Sequence, residues 1–332
     1  MIELLNQIHH ADWLTNNLPD KSVQLIIADP PYFEVKGSFD FVWKSFDDYL
    51  KDVEKWAIEC KRILADNGTL FWYGHAKKIA YAQIIFDKYF NLINNLVWDK
   101  GSFMGLEESE GLRSFAPCTE RILMYENTVN KTGLQEIQND LELYKPIRDY
   151  FLEQKKNCNY TFKEINEKCF GSASNGGGMA SNILTSYKDG WTFPTKEKYD
   201  ALQKIGICPK PYEELRKEYE ELRKEYEELR RPFANYFKLQ EIFRFSNEAV
   251  KTGAKYDHET VKPETLTRAL ILTCSRPDDI VFVPFAGSGT EVAMAIKEGR
   301  KAIGYDIEKK YVDMANRRVD IINAQPSLFC FA

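Results

Sequence analysis

Short apolar runs alternate with amphipathic stretches at both ends of the chain, the pattern of a mostly parallel sheet with crossover helices. VQLIIAD, residues 23 to 29, reads as a buried strand. From Phe46 to Leu64 the apolar side chains, among them Tyr49, Val53, Trp56, Cys60 and Ile63, recur in steps of three and four, which predicts one face of a helix. Asn67-Gly68 turns this helix into the strand TLFWYG, a second helix is expected around Lys77 to Tyr89, and LINNLVWDKG and RILMYE read as further strands. The same grammar returns later. IVFVPF (280 to 285) is a strand, Thr290 to Glu298 a helix stopped by Gly299, AIGYDI a strand, and Lys309 to Ile322 a helix.

From about 127 to 258 the pattern changes. LQEIQNDLELYKPIRDYFLEQKK is charged and helical, GSASNGGGMASN is turn-rich, and PYEELRKEYEELRKEYEELRRP is an internal repeat between Pro211 and Pro232. Tyr212, Leu215, Tyr219, Leu222, Tyr226 and Leu229 make a heptad stripe over 212–230, reinforced by a Glu213 to Lys217 pair. The stripe is short for an independent coiled coil, so a helix packed within the chain is expected, with a homodimer contact as its alternative. Thr161-Phe162-Lys163-Glu164 is a capping box for a short helix, and a second helix is expected around Met179 to Tyr187. That spacing loosely suggests a helix-turn-helix with Asn175, Ser181, Asn182, Lys188 and Trp191 facing a groove; a packed helical insert is equally consistent. The fold expected is α/β, a Rossmann-like doubly wound, mostly parallel sheet from residues 1–126 and 259–332, with an inserted, mainly helical module at 127–258.

A chain of 332 residues, 44% hydrophobic, can bury a large core. No apolar run approaches the roughly 20 residues of a membrane helix, and MIELLNQIHHADW lacks the features of a signal peptide, so a soluble, cytoplasmic protein is expected. Seven scattered cysteines without a CxxC and four histidines without ligand spacing predict reduced thiols and no metal site. A net charge of -5 excludes a uniformly basic coat but leaves local clusters. Arg230-Arg231 and the stretch from Lys251 to Lys262 are the candidates for phosphate contacts.

Two short stretches carry candidate chemistry. Pro284-Phe285-Ala286-Gly287-Ser288-Gly289-Thr290 lies between a strand and a helix, where glycines let backbone approach a ligand and the helix offers free N–H groups. It lacks the third glycine of GxGxxG and the GK[ST] of a phosphate loop. Asp306 ends the next strand, where an acidic group can accept from both ribose hydroxyls of a bound nucleoside. Asp29-Pro30-Pro31-Tyr32 stands at the carboxyl end of the first strand. Its prolines fix φ and remove backbone donors, so what remains is acceptors: the Asp29 carboxylate and the Pro30 carbonyl can both receive one exocyclic amine, beside the flat face of Tyr32.

At these residues the sequence resembles the amino-methylating (N6-adenine or N4-cytosine) DNA methyltransferases that use S-adenosylmethionine, with "DPPY" as the catalytic motif and "PFAGSGT" as the methyl-donor motif. Their order is similar to the β group of that family, over roughly residues 4 to 126 and 258 to 322. The resemblance implies a donor site formed by Phe285, Ala286, Gly287, Ser288, Gly289 and Thr290, with Asp306 on the ribose. It aligns Asp12 with an acidic residue near the donor's adenine, the alternative being a helix N-cap. Lys262 would meet the donor's carboxylate or simply be solvated. Val283 departs from the family's frequent Asp, so a hydrogen bond supporting the loop is either absent or supplied elsewhere.

The implied reaction is direct methyl transfer, without a metal, to N6 of an adenine flipped out of double-stranded DNA, with Asp29 and Pro30 as acceptors, Pro31 holding the turn, and Tyr32 stacking, opposite Phe33. The loop from Glu34 to Ser38 would close over the base and Lys100 would line the DNA side. Relatives specific for cytosine N4 more often have Ser at the Asp29 position, which favours adenine. Readings of other classes are a non-catalytic DNA-binding regulator, against which the intact motifs speak, and a nicotinamide oxidoreductase, disfavoured by the missing third glycine.

Overall fold

Val23–Ala28 forms a strand, β2, whose successive side chains enter opposite cores: Ile26 and Ala28 join one cluster, Leu25 and Ile27 the other. This two-sided burial explains the near-continuous apolar run. In the computed structural model the described residues are 2–35, 40, 42–101, 113, 115, 117–127, 144–171, 178–185, 191–245 and 261–324. In chain order they form β1 (Gln7–His10), β2, α1 (Phe46–Ile63), β3 (Leu64–Gly74), α2 (Ile79–Phe86), β4 (Asn91–Asp99) and β5 (Thr119–Glu126). Then come α3 (Lys145–Lys156), α4 (Phe162–Phe170), α5 (Gly178–Leu184), α6 (Lys196–Lys204) and α7 (Tyr212–Leu229). Last are β6 (Ile242–Arg244), α8 (Glu264–Cys274), β7 (Ile280–Val283), α9 (Thr290–Lys297), β8 (Lys301–Asp306) and α10 (Lys309–Asn323).

The chain divides into two compact units, Met1–Asn130 with Arg231–Ala332, and Lys131–Arg230. In the first, the strands form one sheet in the order β1-β8-β7-β2-β3-β5-β4-β6. β5 alone among these runs against its neighbours, antiparallel to β3 and β4. Its first residues therefore lie at the edge where the other strands end. α1 and α2 pack with one face of the sheet through Val53, Trp56, Ile79 and Phe86, and α8, α9 and α10 with the other through Leu270, Val292 and Val319. Each such fully buried side chain contributes about 1.5–3 kcal/mol. α1 starts where the Ser45 hydroxyl accepts from the Asp48 N–H at 3.1 Å, with Asp47 and Asp48 in the first turn and Lys61 and Arg62 in the last, as the helix dipole favours.

Three local differences from the sequence pattern have physical causes. The Asn67-Gly68 turn is absent: α1 runs directly into β3, and the pair sits where the register with β2 slips between Val23↔Leu64 and Leu25↔Thr69. Residues 231–245, grouped by composition with the insert, lie in the sheet unit, because Phe243 is buried there and β6 pairs with β4 from Val97↔Ile242 to Asp99↔Arg244. Arg231, expected at phosphate, is largely buried and pairs with Glu126 at 3.6 Å.

The second unit is helical about its own core of Ile147, Phe151, Ile165, Ile183, Tyr199 and Leu215. The Thr161/Glu164 capping box is present, and Gly171 ends α4 in the left-handed conformation. The heptad stripe of α7 packs within this unit: Leu215 is fully buried and Tyr219 stacks on Phe193 at 4.3 Å, whereas Leu229 is exposed. Glu213 pairs with Lys196 at 3.4 Å. Trp191, expected in a groove, packs 5.9 Å from Tyr144 and 6.3 Å from Tyr219. Asn175 and Lys188 lie outside the described residues. Among the described residues no helix is long and apolar enough to cross a membrane.

Candidate active site

Because seven strands point one way and β5 the other, their ligand-facing ends converge: Asp12 after β1, Asp29 after β2, His75 after β3, Lys100 after β4, Glu120 at the start of β5, the glycine loop after β7 and Asp306 closing β8. All of these border one cavity of about 930 Å³. That is the upper end of the roughly 300–1,000 Å³ usual for ligand clefts, at the carboxyl edge where open sheets bind ligands.

The Asp29-Pro30-Pro31-Tyr32 turn lines this cavity. Asp29 accepts from the Tyr32 hydroxyl, and the Tyr32 backbone N–H donates to Asp40. Burial, then the neighbouring Asp29 and Glu120 carboxylates, push the Tyr32 phenol well above its ordinary range, so it stays a donor. Phe33 does not face a base. It is buried against Phe46 and Tyr49 at 5.5 and 5.9 Å, under the Lys78 ammonium.

Lys262 is neither solvated nor on a phosphate-facing surface. Its side chain is 5% exposed, and its ammonium lies 2.7 Å from Asp29 Oδ2 and 3.2 Å from Glu120 Oε2. Burial alone would lower its pKa; attraction to Asp29 and Glu120 outweighs this and holds it above the ordinary lysine value. Lys100 pairs with Glu120 from the other side. Burial works to raise the Glu120 pKa, but Lys262 and Lys100 together hold it below the usual carboxylate value. A chain of alternating charge, Lys100, Glu120, Lys262, Asp29, thus ends on the motif carboxylate.

The glycine loop is held from below. The Gly287 N–H donates to Asp306 Oδ2 at 2.9 Å, and the Ala286 N–H to the Tyr305 carbonyl at 2.8 Å. Asp306 therefore supplies the loop support that the apolar, buried Val283 cannot. Its other oxygen accepts from the Glu308 N–H at 2.8 Å, and burial raises its pKa. Asp12 caps the turn Trp13–Thr15 by accepting from the Leu14 N–H at 3.0 Å, while also bordering the cavity.

Phe285, Ala286, Gly287 and Ser288 line the cavity; Gly289 and Thr290 do not. Thr290 is fully buried and accepts from Arg318 at 2.9 Å. Gly289 has φ +72°, and a Cβ there would meet the Ala315 Cβ at 2.6 Å. Gly289→Ala is accordingly expected to cost about 2–4 kcal/mol, from left-handed strain plus overpacking, read as a lowered denaturation midpoint. Gly299→Ala, with similar φ but open space, is the control and should lose only the strain.

Expected residues of the closing loop, 36–38, and the stretch beyond Gly101 lie outside the described residues. Glu120, His75, Trp98 and Glu291 border the cavity without having been singled out in the sequence. Glu120 becomes visible only once β5 is known to run backwards.

A doubly wound sheet with one reversed strand, a glycine loop after β7 and an acidic residue ending β8 define a methyltransferase of the S-adenosylmethionine-dependent, Rossmann-like class. Residues 23–317 match the DNA methylase family of N6-adenine and N4-cytosine enzymes, and the chain belongs to it. With the Asp-Pro-Pro-Tyr turn before the glycine loop, it has that family's β-group order. The chain is 27% identical over 322 residues to the DNA adenine methyltransferase YhdJ of Escherichia coli (strain K12), covering 95% of this chain and 82% of YhdJ. It is 24% identical over 343 residues to the Type II methyltransferase M.HinfI of Haemophilus influenzae, covering 98% and 71%. Among solved structures, the fold is similar to that of the PvuII DNA methyltransferase (cytosine-N4-specific), with a TM-score of 0.51 at 13% identity over 95% of this chain and 89% of that one.

Proposed function

We propose that this DNA methyltransferase acts on the N6 amino group of adenine, at a specific sequence in double-stranded DNA, in the cytoplasm. The observation that carries the reading is the Asp29-Pro30 acceptor pair, bordering the cavity and anchored by a buried lysine at 2.7 Å. The aspartate, where cytosine-N4 relatives more often have serine, and the similarity to a relative named as an adenine methyltransferase both support the choice of base.

S-adenosylmethionine supplies, when bound, a methyl group on a positively charged sulfur. The cavity fits such a donor: it has the volume for a nucleoside and a base, and Phe285, Ala286, Gly287 and Ser288 would hold the methionine part, with Gly289 and Thr290 shaping the loop beneath. Asp306 and Asp12 would serve the ribose and the adenine. Two of the Lys262 donors go to Asp29 and Glu120, and its third is available to the donor's carboxylate.

An adenine amino group is a weak nucleophile because its lone pair is delocalised into the ring. Asp29 and the Pro30 carbonyl, accepting its two N–H bonds, would favour a tetrahedral nitrogen whose lone pair points away from the ring. Pro31 fixes the turn, and Tyr32, its hydroxyl tied to Asp29, presents its ring to the extruded base. Orientation and fixed charge, rather than a covalent intermediate, then accelerate the reaction. Asp29 need not be a strong base, since the proton becomes acidic once the nitrogen carries the methyl group. The unit 131–230 is assigned the reading of the target sequence.

The test is incubation of DNA with isotopically labelled donor, digestion to nucleosides and mapping of the modified positions. Label in N6-methyladenine is expected. Label in N4-methylcytosine overturns the base assignment, and DNA binding without donor binding or label would make the chain a non-catalytic regulator.

A further inference from the structure

Glu291 occupies the first turn of α9, directly after the glycine loop, and reads in the sequence as an ordinary helix acid. It is 5% exposed, borders the cavity, and its Oε1 is buried with no hydrogen-bond partner among the described residues. A buried carboxylate oxygen left unpaired is costly, so the fold holds an acceptor for a group that it does not itself supply.

The charged and titratable groups facing Glu291 come from four elements: Asp29 after β2, Tyr73 on β3, Lys262 before α8 and Arg318 on α10. The two cations have other engagements. Lys262 is paired with Asp29 and Glu120, and Arg318 bonds Thr290 at 2.9 Å and Glu264 at 2.6 Å. Burial, then the like charge of Asp29, push the Glu291 carboxyl up to about 7, against the opposing pull of its own backbone N–H and then of Lys262 and Arg318.

We infer that Glu291 is the receptor for the positively charged α-amino group of the methyl donor's methionine part. This rests on the reading of the cavity as the donor site. An unpaired acceptor calls for an N–H, and of the donor's two positive centres the ammonium carries three while the sulfonium carries none. The ammonium favours ionised Glu291, so binding releases the carboxyl proton to solvent wherever the free protein holds it. A carboxyl with a raised pKa is neutral below about pH 7, and donor affinity therefore rises with pH towards that value and levels off above it.

The experiment is calorimetric titration of the full chain, without DNA, with three ligands: S-adenosylmethionine, S-adenosylhomocysteine and 5′-methylthioadenosine, which has no amino-acid part. Glu291→Gln is expected to weaken the first two by about tenfold to hundredfold and to leave the third within about twofold. Wild-type protein should release a fraction of a proton on binding either amino-acid ligand at about pH 6, seen as a dependence of heat on buffer ionisation, and the variant none. The wild-type release is measurable even should the variant fail to fold. Unchanged affinity for the two amino-acid ligands, an equal loss for 5′-methylthioadenosine, or wild-type binding at pH 6 without proton release each overturns the assignment. Failure of wild-type protein to bind any of the three overturns the donor site itself.

Discussion

Asp29→Ala is expected to slow methyl transfer about thousandfold or more while the fold and donor binding survive. The loss is large because the carboxylate is fixed before substrate arrives: Lys262 holds one oxygen at 2.7 Å and the Tyr32 hydroxyl holds the other. Such a preset acceptor acts where charge develops and requires no reorganisation during the reaction. The fold survives because Lys262 is not left alone. Glu120 remains 3.2 Å from it, so the buried ammonium keeps a counter-ion. Single-turnover rates at saturating donor, with thermal melts and donor titration on the same samples, separate these effects. Asp29→Asn should fall between, since the amide keeps one acceptor oxygen but turns an N–H group toward either Lys262 or Tyr32. Undiminished transfer by the alanine variant removes Asp29 from the mechanism.

The parts of the fold that the sequence reveals are those where a local pattern and a tertiary role coincide. β2, β7 and β8 are apolar because both faces are buried, and α1 shows its stripe because one face is. β1 and β6 escape notice for physical reasons. QIHH has one buried residue in four, and IFR has only Phe243 buried, so neither has a period to read. At the site, Asp29 and the glycine loop are legible because their chemistry is carried by adjacent residues. Glu120 and Glu291 are not, being ordinary charged residues in their own segments, and Lys262 is singled out only by the family resemblance, with no sign of its burial between Asp29 and Glu120. Their burial depends on neighbours 142 positions away for the Glu120–Lys262 contact, and on the reversed direction of β5, which no local pattern records. Gly289 and Thr290 show the converse. They belong to a recognisable motif, yet they shape the loop from within while Glu291, just past it, reaches the cavity.

Lys262→Met should be the most damaging substitution for the sheet unit, costing about 3–5 kcal/mol at neutral pH, because it strands charge that the lysine neutralises. Methionine fills much of the same volume, so lost packing is a minor part of the effect. Glu120 would retain Lys100, but Asp29 would keep only the Tyr32 hydroxyl, with Glu120 as a like charge nearby. The pH dependence distinguishes this cause from general damage. In the wild type, Glu120 has a pKa depressed below its ordinary 4.5, so its contribution is present above that pH and is lost as pH falls through the folded value. In Lys262→Met, Glu120 loses one of the two lysines that hold its pKa down, and that pKa rises. The destabilisation of the variant relative to the wild type should therefore shrink as pH falls from about 8 to about 5, over and above the gain that Glu291, its carboxyl raised to about 7, gives both proteins in that range. Adding Glu120→Gln should restore part of the stability at neutral pH by removing the repulsion, yet leave transfer slow, because Asp29 would still lack the ammonium that orients it. Denaturant midpoints at the two pH values, with single-turnover rates for the double variant, test both halves. A Lys262→Met protein that is equally destabilised at both pH values would show that packing, not charge, is what Lys262 provides.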